Sequence, residues 1–496
     1  MKRKLSVWIA VLLFSCGADM VSAQEIITLQ HDWVCDMWFF SYSYPSVSAT
    51  GDPVTLTALA CVPEGGTEVE HINNVILGCH ATITSNEQCP SEFGNSGILN
   101  SDVYALMYHA GSGLEVKNPQ SDLSYHNLVI VPDYEGYGAT VDHAHPYLCE
   151  EITARQVTDA ARYGIQLYQN DAKLADLRHP FRDDWRTICI GYSQGGAVAM
   201  ATQRYIEQNQ FTDELHLSGA ICGDGPYDPL TTLLFYIGND QADEVMEMPV
   251  VMPLMLKGLC DYSPFMTGHE VSDYLQDHFL ETGILDWITS KEMTTEEITI
   301  AWRLLYALGK DGDNNYYRDL LTENGKMRLR DILKPEAYDY FLQILDANPD
   351  YATQPVVVPE GEKLMEDLYL ALQSNNLTID WQPEHPVCLY HSIEDEVVPI
   401  HNYQRAKAAF GDRVTFYESK ANGNHLDTGN EFYTGMTLED CIRELATLPY
   451  QTTGIRSIVE QSIDDTYWYD LSGRRLAGKP TQRGIYIRNG RKTVIR

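Results

Sequence analysis

The chain contains 496 residues, of which 44% are hydrophobic and 10% aromatic, a composition typical of a folded protein with a sizeable core. Its 70 acidic residues outnumber its 35 basic ones, which gives a net charge of −35. Nucleic acids and anionic membrane surfaces are therefore excluded as expected partners, because both bind to basic protein surfaces. The length favours one large domain with an accessory segment.

Residues 1–23 have the pattern of a signal peptide. Residues 2–4 are basic, residues 5–14 form an apolar run, and residues 21–23 fit a cleavage site. The apolar run is too short to cross a bilayer as a stable anchor, and no later run is long enough to predict a membrane span. An alternative interpretation makes Cys16 the acylated residue of a lipoprotein, although the bulky residue two positions before it disfavours this. The sequence predicts export to the periplasm, the cell surface or the extracellular space.

The chain has 11 cysteines, which is too few for a disulfide-dense scaffold of this size, and none shows a C-x-x-C zinc spacing. Cys189 and Cys388 lie within apolar runs and are predicted to be buried thiols. Cys79 and Cys89 flank a short polar loop. They either form a disulfide that closes this loop or remain free.

From Asp52 onward, short apolar runs alternate with amphipathic helical patterns, and this alternation predicts an α/β fold. Continuous apolar runs are typical of parallel strands that are buried on both faces. Residues 152–168 are predicted to form an amphipathic helix. The predicted strands are residues 54–62, 74–77, 127–131, 187–190, 215–222, 385–390 and 414–417.

The alternation stops between residues 230 and 383, where helical patterns such as 297–308 and 336–345 predominate. A segment of this length is too long to be a loop, so we predict a helical cap inserted into the sheet domain. The sheet domain then comprises residues 24–229 and 384–450.

Four methionines lie near the start of the predicted cap, and methionine-rich surfaces can adapt to varied apolar ligands. We expect Met252 and Met255 to contact the acyl chain of a substrate. The alternative is that the four side chains fill the core of the cap itself. The other two members of the group are Met246 and Met248.

Residues 455–496 differ in character from the rest of the chain, because residues 456–496 contain nine basic and four acidic residues. Residues 484–488 and 491–495 predict two strands joined by a type I′ turn, and the segment around Trp468 predicts a third. We therefore expect a small C-terminal β appendage.

A catalytic serine is predicted at Ser193, within the sequence Gly-Tyr-Ser-Gln-Gly at residues 191–195. A strand precedes this pentapeptide and a helix follows it, which is the context of a nucleophile elbow. The small flanking residues allow neighbouring backbone to approach a strained turn that exposes the serine Oγ. The alternative is a glycine-rich turn whose serine merely caps the helix.

A serine nucleophile needs a base, and the base needs an acid that orients it. Three acids follow the predicted strand at 385–390: Glu394, Asp395 and Glu396. Asp395 is the predicted acid because it lies five positions after the strand end and two before a pair of valines. The other two are expected to face solvent.

The predicted base is His425, which lies in a Gly/Asn-rich loop after the last predicted strand. A loop in this position can bring an imidazole to the serine at the carboxyl end of the sheet. His391 and His401 are the alternative bases.

The oxyanion of the reaction is expected to be stabilised by the backbone N–H groups of Gln194 and Ala81. Ala81 lies in the loop after the strand at 74–77, and the residue before it is His80. Because they adjoin these positions, Tyr192 and His80 are predicted to contact the substrate.

His143 and His145 have a spacing that metal ligands can show, but no carboxylate or cysteine cluster accompanies them, so no metal site is predicted.

These motifs resemble the α/β-hydrolase superfamily, and within it the secretory lipase-like exported serine esterases. The resemblance implies a mostly parallel sheet flanked by helices, a helical lid above the serine, and a hydrolase of small-molecule or lipid esters that needs no cofactor. It extends over residues 54–448 and depends on the motifs at 132–136, 191–196, 391–399 and 423–425.

The C-terminal appendage is similar to the sorting segments of exported Bacteroidetes proteins, which the type IX secretion machinery recognises. This resemblance implies an export machinery as a partner.

The sequence thus predicts an exported serine carboxylic ester hydrolase that works through an acyl-enzyme. A serine peptidase of the same fold, similar to an aminopeptidase, is the alternative enzyme, because the same three residues can cleave amides. The alternative without catalysis is a surface binding protein that retains the fold.

Overall fold

The computed structural model describes most of the chain between residues 24 and 448 and short parts of the C-terminal segment. The predicted signal peptide, Cys16, Met246, Met248 and the predicted turn at 489–490 lie outside the described residues. Those described are 24–33, 36–64, 70–95, 100–111, 114–115, 124–241, 250–309, 328–419, 423–448, 468–469, 476, 479–481, 483–488 and 491–495.

The centre of the fold is a nine-stranded sheet with the order β1-β2-β3-β7-β4-β8-β9-β10-β11. The pairs β1–β2, β2–β3 and β3–β7 are antiparallel. The remaining pairs, from β7–β4 to β10–β11, are all parallel. The strands are β1 (Glu25–Asp32), β2 (Met37–Val47), β3 (Pro53–Pro63), β4 (Ile72–Cys79), β7 (Asn127–Pro132), β8 (Phe181–Tyr192), β9 (Leu217–Gly223), β10 (Val387–His391) and β11 (Val414–Glu418). A separate pair is formed by β5 (Leu114–Glu115) and β6 (Ser124–Tyr125).

The predicted strand at 215–222 begins two residues later than expected. Leu215 ends a short helix, and His216 follows it with a φ of 50°, a left-handed conformation that reverses the chain before β9. The other predicted strands are confirmed. Their boundaries differ by at most two residues except in β8, which begins six residues before the predicted start at 187.

Both faces of the sheet are covered by apolar clusters. Alternate residues of each strand point to opposite faces, so each strand contributes to both clusters. In β8, Cys189 joins the apolar cluster on one face, together with residues of α2 (Glu150–Asn170) and α3 (Gln194–Gln208). Ile188 and Ile190 join the cluster on the other face. The predicted helix at 152–168 is confirmed as α2. The helices outside the insertion are α1 (Ser101–Gly111), α2 (Glu150–Asn170), α3 (Gln194–Gln208), α4 (Thr212–Leu215), α13 (His401–Phe410), α14 (His425–Thr434) and α15 (Met436–Thr447).

The segment between β9 and β10 is helical where it is described, and it has an apolar cluster of its own. Met252 and Met255 are buried in this cluster. Its helices are α5 (Pro229–Gln241), α6 (Val251–Tyr262), α7 (Asp277–Leu280), α8 (Ile284–Ser290), α9 (Thr295–Gly309), α10 (Leu329–Ile332), α11 (Pro335–Ala347) and α12 (Lys363–Ser374). Helices α9 and α11 confirm the patterns at 297–308 and 336–345.

The C-terminal segment contains the predicted three antiparallel strands, with the order β12-β13-β14. These are β12 (Trp468–Tyr469), β13 (Gly484–Arg488) and β14 (Arg491–Ile495). The Trp468 side chain is buried.

Of the two alternatives for Cys79 and Cys89, the structure has the free thiols and not the disulfide. Cys79 ends β4 and packs into the large cluster under the sheet, whereas Cys89 packs with Ile83 and Tyr137 in a separate small cluster. The two thiols therefore belong to different parts of the interior. Cys189 and Cys388 are buried thiols, as predicted.

Within the described part of the chain, no helix combines the length and the apolar character that crossing a bilayer requires.

Candidate active site

Ser193 occupies a sharp turn between β8 and α3, with φ of 56° and ψ of −125°. This backbone conformation is strained for a residue other than glycine, and such strain is typical of functional positions. The Ser193 N–H donates to the Gly223 carbonyl at 2.9 Å, which anchors the turn to the adjacent β9. The strand–turn–helix context of the nucleophile elbow is therefore present.

The structure brings Ser193, His425 and Asp395 together. His425 Nε2 lies 2.9 Å from Ser193 Oγ, and its Nδ1 lies 2.6 Å from Asp395 Oδ2. Because a carboxylate accepts, Nδ1 carries the proton and Nε2 is left to accept from the serine hydroxyl. His425 is the first residue of α14, and its side chain is nearly fully buried. This geometry suits proton transfer from the serine to the imidazole.

Asp395 is held in place by the loop that follows β10. Its Oδ1 accepts from the backbone N–H groups of Val397 and Val398, each at 2.8 Å. Burial acts to raise the pKa of Asp395, but the charge and hydrogen bond of His425, with smaller contributions from its other neighbours, lower this pKa below its usual value. The carboxyl is therefore ionised at neutral pH. Glu394, one of the two alternative acids, is exposed.

The two alternative bases are engaged elsewhere. The buried His391 donates from Nε2 to the Val398 carbonyl at 2.8 Å, and burial lowers its pKa to about 4. The His401 ring stacks on Tyr351 with ring centres 5.3 Å apart.

The two predicted oxyanion donors, the N–H groups of Gln194 and Ala81, differ in their surroundings. Gln194 is the first residue of α3, where a backbone N–H has no partner within the helix. Burial raises the pKa of the Asp102 carboxyl to about 6, and a hydrogen bond from the Ala81 N–H acts to lower it. Asp102 also acts electrostatically on His425. An acidic group therefore lies beside the predicted oxyanion hole.

The Gln194 side chain is fixed by a histidine whose role was missed by sequence reasoning. His145 donates from Nδ1 to the Glu135 carbonyl at 2.8 Å, so its Nε2 accepts from Gln194 Nε2 at 2.9 Å. Burial lowers the pKa of His145 to about 3, which keeps the ring neutral. His143 contacts the Glu135 carboxylate at 2.9 Å. The sequence spacing of His143 and His145 did not indicate their contacts with Glu135 and Gln194.

An apolar cavity adjoins Ser193, with an empty volume of about 580 Å³ that includes the open solvent at its mouth. Met252 and Met255, the two methionines expected to contact an acyl chain, line this cavity and also belong to the apolar cluster of the helical segment between β9 and β10. No charged side chain lines this cavity among the described residues. Its other apolar walls include Leu148, Pro226, Leu233, Tyr236, Val251 and Val398.

Tyr192 and His80, also predicted to contact substrate, do not line this cavity. The Tyr192 hydroxyl lies 2.6 Å from Asp224 Oδ2 and 2.7 Å from the His425 carbonyl, so this side chain packs behind the serine. His80 is buried, with its Nδ1 2.7 Å from the Ala81 carbonyl and its ring stacked on Tyr134.

Asp224 is a further residue that sequence reasoning missed. It follows β9 directly and is fully buried, and one of its carboxylate oxygens lies within 4.8 Å of atoms of both Asp395 and His425. An aspartate directly after a strand next to the serine strand is a signal that could have marked it.

Comparison with known proteins defines the fold. No family model matches the chain, and no curated protein matches its sequence. The rice cell wall degrading esterase LipA from Xanthomonas oryzae is similar in structure, with a TM-score of 0.56 and 20% identity over 85% of this chain and 95% of LipA. A candidate hydrolase from Legionella pneumophila gives a TM-score of 0.54 and 16% identity over 87% of this chain and 92% of its own. Candida antarctica lipase A in its closed state gives a TM-score of 0.49 and 14% identity over 86% of this chain and 81% of its own.

At identities this low, structural likeness defines the fold and not the activity. The chain has the α/β-hydrolase fold, a mostly parallel sheet flanked by helices, with the Ser193 turn at the carboxyl end of β8.

Proposed function

We propose that this protein is a serine hydrolase that cleaves carboxylic esters through a covalent acyl-enzyme. The observation that carries this proposal is the continuous chain of hydrogen bonds from Ser193 Oγ through His425 to Asp395 at the wall of an apolar cavity. A serine becomes nucleophilic when a base accepts its proton and an acid orients that base. The fold is compatible with this proposal, because LipA, an esterase, has a similar one.

In the acylation step, Ser193 Oγ attacks the ester carbonyl while His425 Nε2 accepts the hydroxyl proton. Asp395 stabilises the imidazolium that forms. The Gln194 N–H donates to the tetrahedral oxyanion, and so does the Ala81 N–H, which exchanges its bond to Asp102 for one to the oxyanion. When the intermediate collapses, the bond to the leaving alcohol breaks and the alcohol takes the proton from His425. The acyl group remains on Ser193.

In the deacylation step, a water molecule gives a proton to His425 and attacks the acyl carbonyl. The second tetrahedral intermediate collapses, the Ser193 Oγ leaves, and it recovers its proton from His425. The products are the carboxylic acid and the regenerated serine. This sequence uses only groups of the chain and water.

The cavity favours an apolar acyl chain. Among the described residues its walls are uncharged, and they include Met252 and Met255, whose flexible side chains can adapt to chains of different length. A charged acid would have to be desolvated there without a partner, which is costly. We therefore propose alkyl or aryl carboxylic esters as substrates, with the acyl group beside these two methionines.

A serine aminopeptidase is the second candidate, and Asp102 is the observation that favours it. This carboxyl lies beside Ala81 and acts on His425, where it could bind the ammonium group of an amino-acyl substrate. Hydrolysis of amino-acyl anilides at rates similar to those of esters, with a loss in Asp102→Asn, would favour this second candidate.

We also propose that the protein is exported. The proposal rests on the signal-peptide pattern of residues 1–23 and on the small β appendage, whose resemblance to sorting segments suggests an export machinery as partner. Acylation at Cys16 is the alternative route to the cell surface. The mass of the mature N-terminus distinguishes cleavage before Gln24 from acylation.

The test is the initial rate of hydrolysis of p-nitrophenyl esters from acetate to palmitate, with Ser193→Ala as the control. We expect turnover by the unmodified protein and its loss in the variant. The chain-length optimum then distinguishes an esterase from a lipase. Turnover that survives in Ser193→Ala, or the absence of turnover with every ester, would contradict the proposal.

A further inference from the structure

Asp224 links the segments that carry all three members of the proposed triad. It follows β9, which lies between β8 and β10 in the sheet. Its own N–H donates to the Tyr390 carbonyl at 2.9 Å, and its Oδ1 accepts from the Ser392 N–H at 3.1 Å, at the start of the loop that carries Asp395. The residue before it, Gly223, accepts from the Ser193 N–H.

The backbone of Asp224 is strained, with a φ of 34°. Only a small fraction of residues other than glycine adopts positive φ, although aspartate and asparagine do so more readily than most. Strain of this kind persists where the surrounding structure enforces it and is frequent at functional sites.

The Tyr192 hydroxyl indicates where one proton lies. It has a single hydrogen, but it lies 2.7 Å from the His425 carbonyl and 2.6 Å from Asp224 Oδ2. A backbone carbonyl can only accept, so Tyr192 donates to His425. If Tyr192 uses its one hydrogen for the His425 carbonyl, the 2.6 Å contact is a two-centre hydrogen bond when Asp224 Oδ2 is protonated and donates to the Tyr192 oxygen.

His391 gives a second indication. Its Nε2 donates to the Val398 carbonyl, so a neutral ring presents a lone pair on Nδ1. That Nδ1 lies 3.3 Å from Asp224 Oδ1 and has no hydrogen-bond partner. An ionised Asp224 would place a negative oxygen against this lone pair, whereas a neutral carboxyl reduces the repulsion.

The charge of Asp395 also favours a protonated Asp224. Two buried carboxylates within a few ångströms of each other cannot both ionise without a large cost. Asp395 is the one stabilised by His425 and by two backbone N–H groups, as described above. Burial and then the charge of Asp395 raise the pKa of Asp224 well above its usual value.

We propose that Asp224 is a positioning residue of the active site, which stays protonated at neutral pH and holds His425 through Tyr192. Asp395 is then the single anion in contact with the imidazole. This inference rests on the proposed function, because it assigns a role within the same site. The titratable groups that face Asp224 or His425 from the neighbouring elements are Tyr192, Tyr227, Tyr390, His391, Asp395 and, from α1, Asp102.

The first test is the pH profile of kcat/KM for the unmodified protein and for Asp224→Asn. The acid limb reports loss of the proton from the base of the free enzyme. An ionised Asp224 would stabilise the imidazolium, so its replacement would move the midpoint of this limb to lower pH. We expect a shift of less than about 0.3 because asparagine replaces a neutral group of the same shape. A downward shift of about one pH unit or more would overturn the proposal.

The second test separates positioning from simple packing. Asp224→Ala removes the donor to Tyr192, and we expect kcat to fall roughly 10- to 100-fold with KM changed less than about threefold. Asparagine supplies an N–H donor to Tyr192, so we expect Asp224→Asn to recover kcat to within about fivefold of the unmodified protein. An alanine variant with unmodified kcat, or an asparagine variant as impaired as alanine, would overturn the proposal.

A third measurement does not depend on ester turnover or on the alanine variant. The infrared spectrum of the unmodified protein minus that of Asp224→Asn is expected to contain the C=O stretching band of a protonated carboxyl at pH 7. A difference band of an ionised carboxylate instead would overturn the proposal. If the unmodified protein cleaves no ester, the proposed function fails, and this measurement still determines the protonation state of Asp224.

Discussion

Gly195 lies so close to the carbonyl of Cys79 that a Cβ on this glycine would overlap the carbonyl oxygen. Cys79 is the last residue of β4, and the loop that carries Ala81 begins immediately after it. The close contact therefore sets the position of this loop relative to Ser193. Glycine is required at position 195 because the end of β4 approaches it closely, and not because of its own backbone conformation.

We expect Gly195→Ala to displace the end of β4 and the adjacent N–H of Ala81. Loss of one oxyanion donor typically costs about 100- to 1,000-fold in kcat, and the overlap should also lower the free energy of unfolding. Gly238→Ala is the matched control, because a Cβ there meets only Leu345 at 3.8 Å, an ordinary contact. Native stability and activity in Gly195→Ala would contradict the assignment.

Replacing the proposed base should abolish most of the activity. We expect His425→Ala to lower kcat by about 10⁴-fold, with a similar loss in Asp395→Asn because the imidazole loses its orienting partner. His401→Ala is the control, since His401 stacks on Tyr351 away from the serine. Steady-state rates on one short ester would check all three variants. A loss in His401→Ala equal to that in His425→Ala would reject the assignment of the base.

A charge in the acyl cavity should impair long esters selectively. We expect Met252→Glu to lower kcat/KM for palmitate at least about tenfold while acetate changes less, because only a long chain has to displace a solvated carboxylate from the wall. Met436→Glu is the control, since Met436 is 74% exposed and lies outside this cavity. Equal effects on both esters would place the acyl chain elsewhere.

Glu150 links stability to pH. Burial raises its pKa from 4.5 to about 8, and neither carboxylate oxygen has a hydrogen-bond partner. The folded state therefore binds more protons than the unfolded state between these values, so stability should fall as the pH rises from about 4.5 to 8.

We expect Glu150→Gln to flatten this dependence and to stabilise the protein at pH 9 by on the order of a few kcal/mol, with little difference at pH 4. Urea unfolding at both pH values measures the effect, and the exposed neighbour Glu151→Gln is the control. Equal slopes for the unmodified protein and Glu150→Gln would show that this carboxyl does not titrate as described.

The placement of Ser193, Asp395 and His425 could be predicted because each depends on a local pattern. Glycines mark the turn around the serine, and a strand followed by a short loop precedes each of the other two. Parallel strands bring their carboxyl ends to one edge of the sheet, so three separate loops converge. The start of β9 differs because of local geometry at His216, whose left-handed conformation delays the strand.

Contacts that depend on tertiary packing could not be predicted in the same way. Tyr192 adjoins Ser193 in the sequence, but its side chain points behind the serine to Asp224. Asp224 itself contacts residues far along the chain, because β9 lies between β8 and β10. The spacing of Cys79 and Cys89 permitted a disulfide, but the two thiols pack into different clusters.

The most direct test of the central claim is covalent labelling with a fluorophosphonate, followed by peptide mass spectrometry. We expect one adduct per chain, located on Ser193, absent from Ser193→Ala and formed far more slowly in His425→Ala. No adduct, or an adduct on another residue that persists in Ser193→Ala, would show that Ser193 is not the nucleophile.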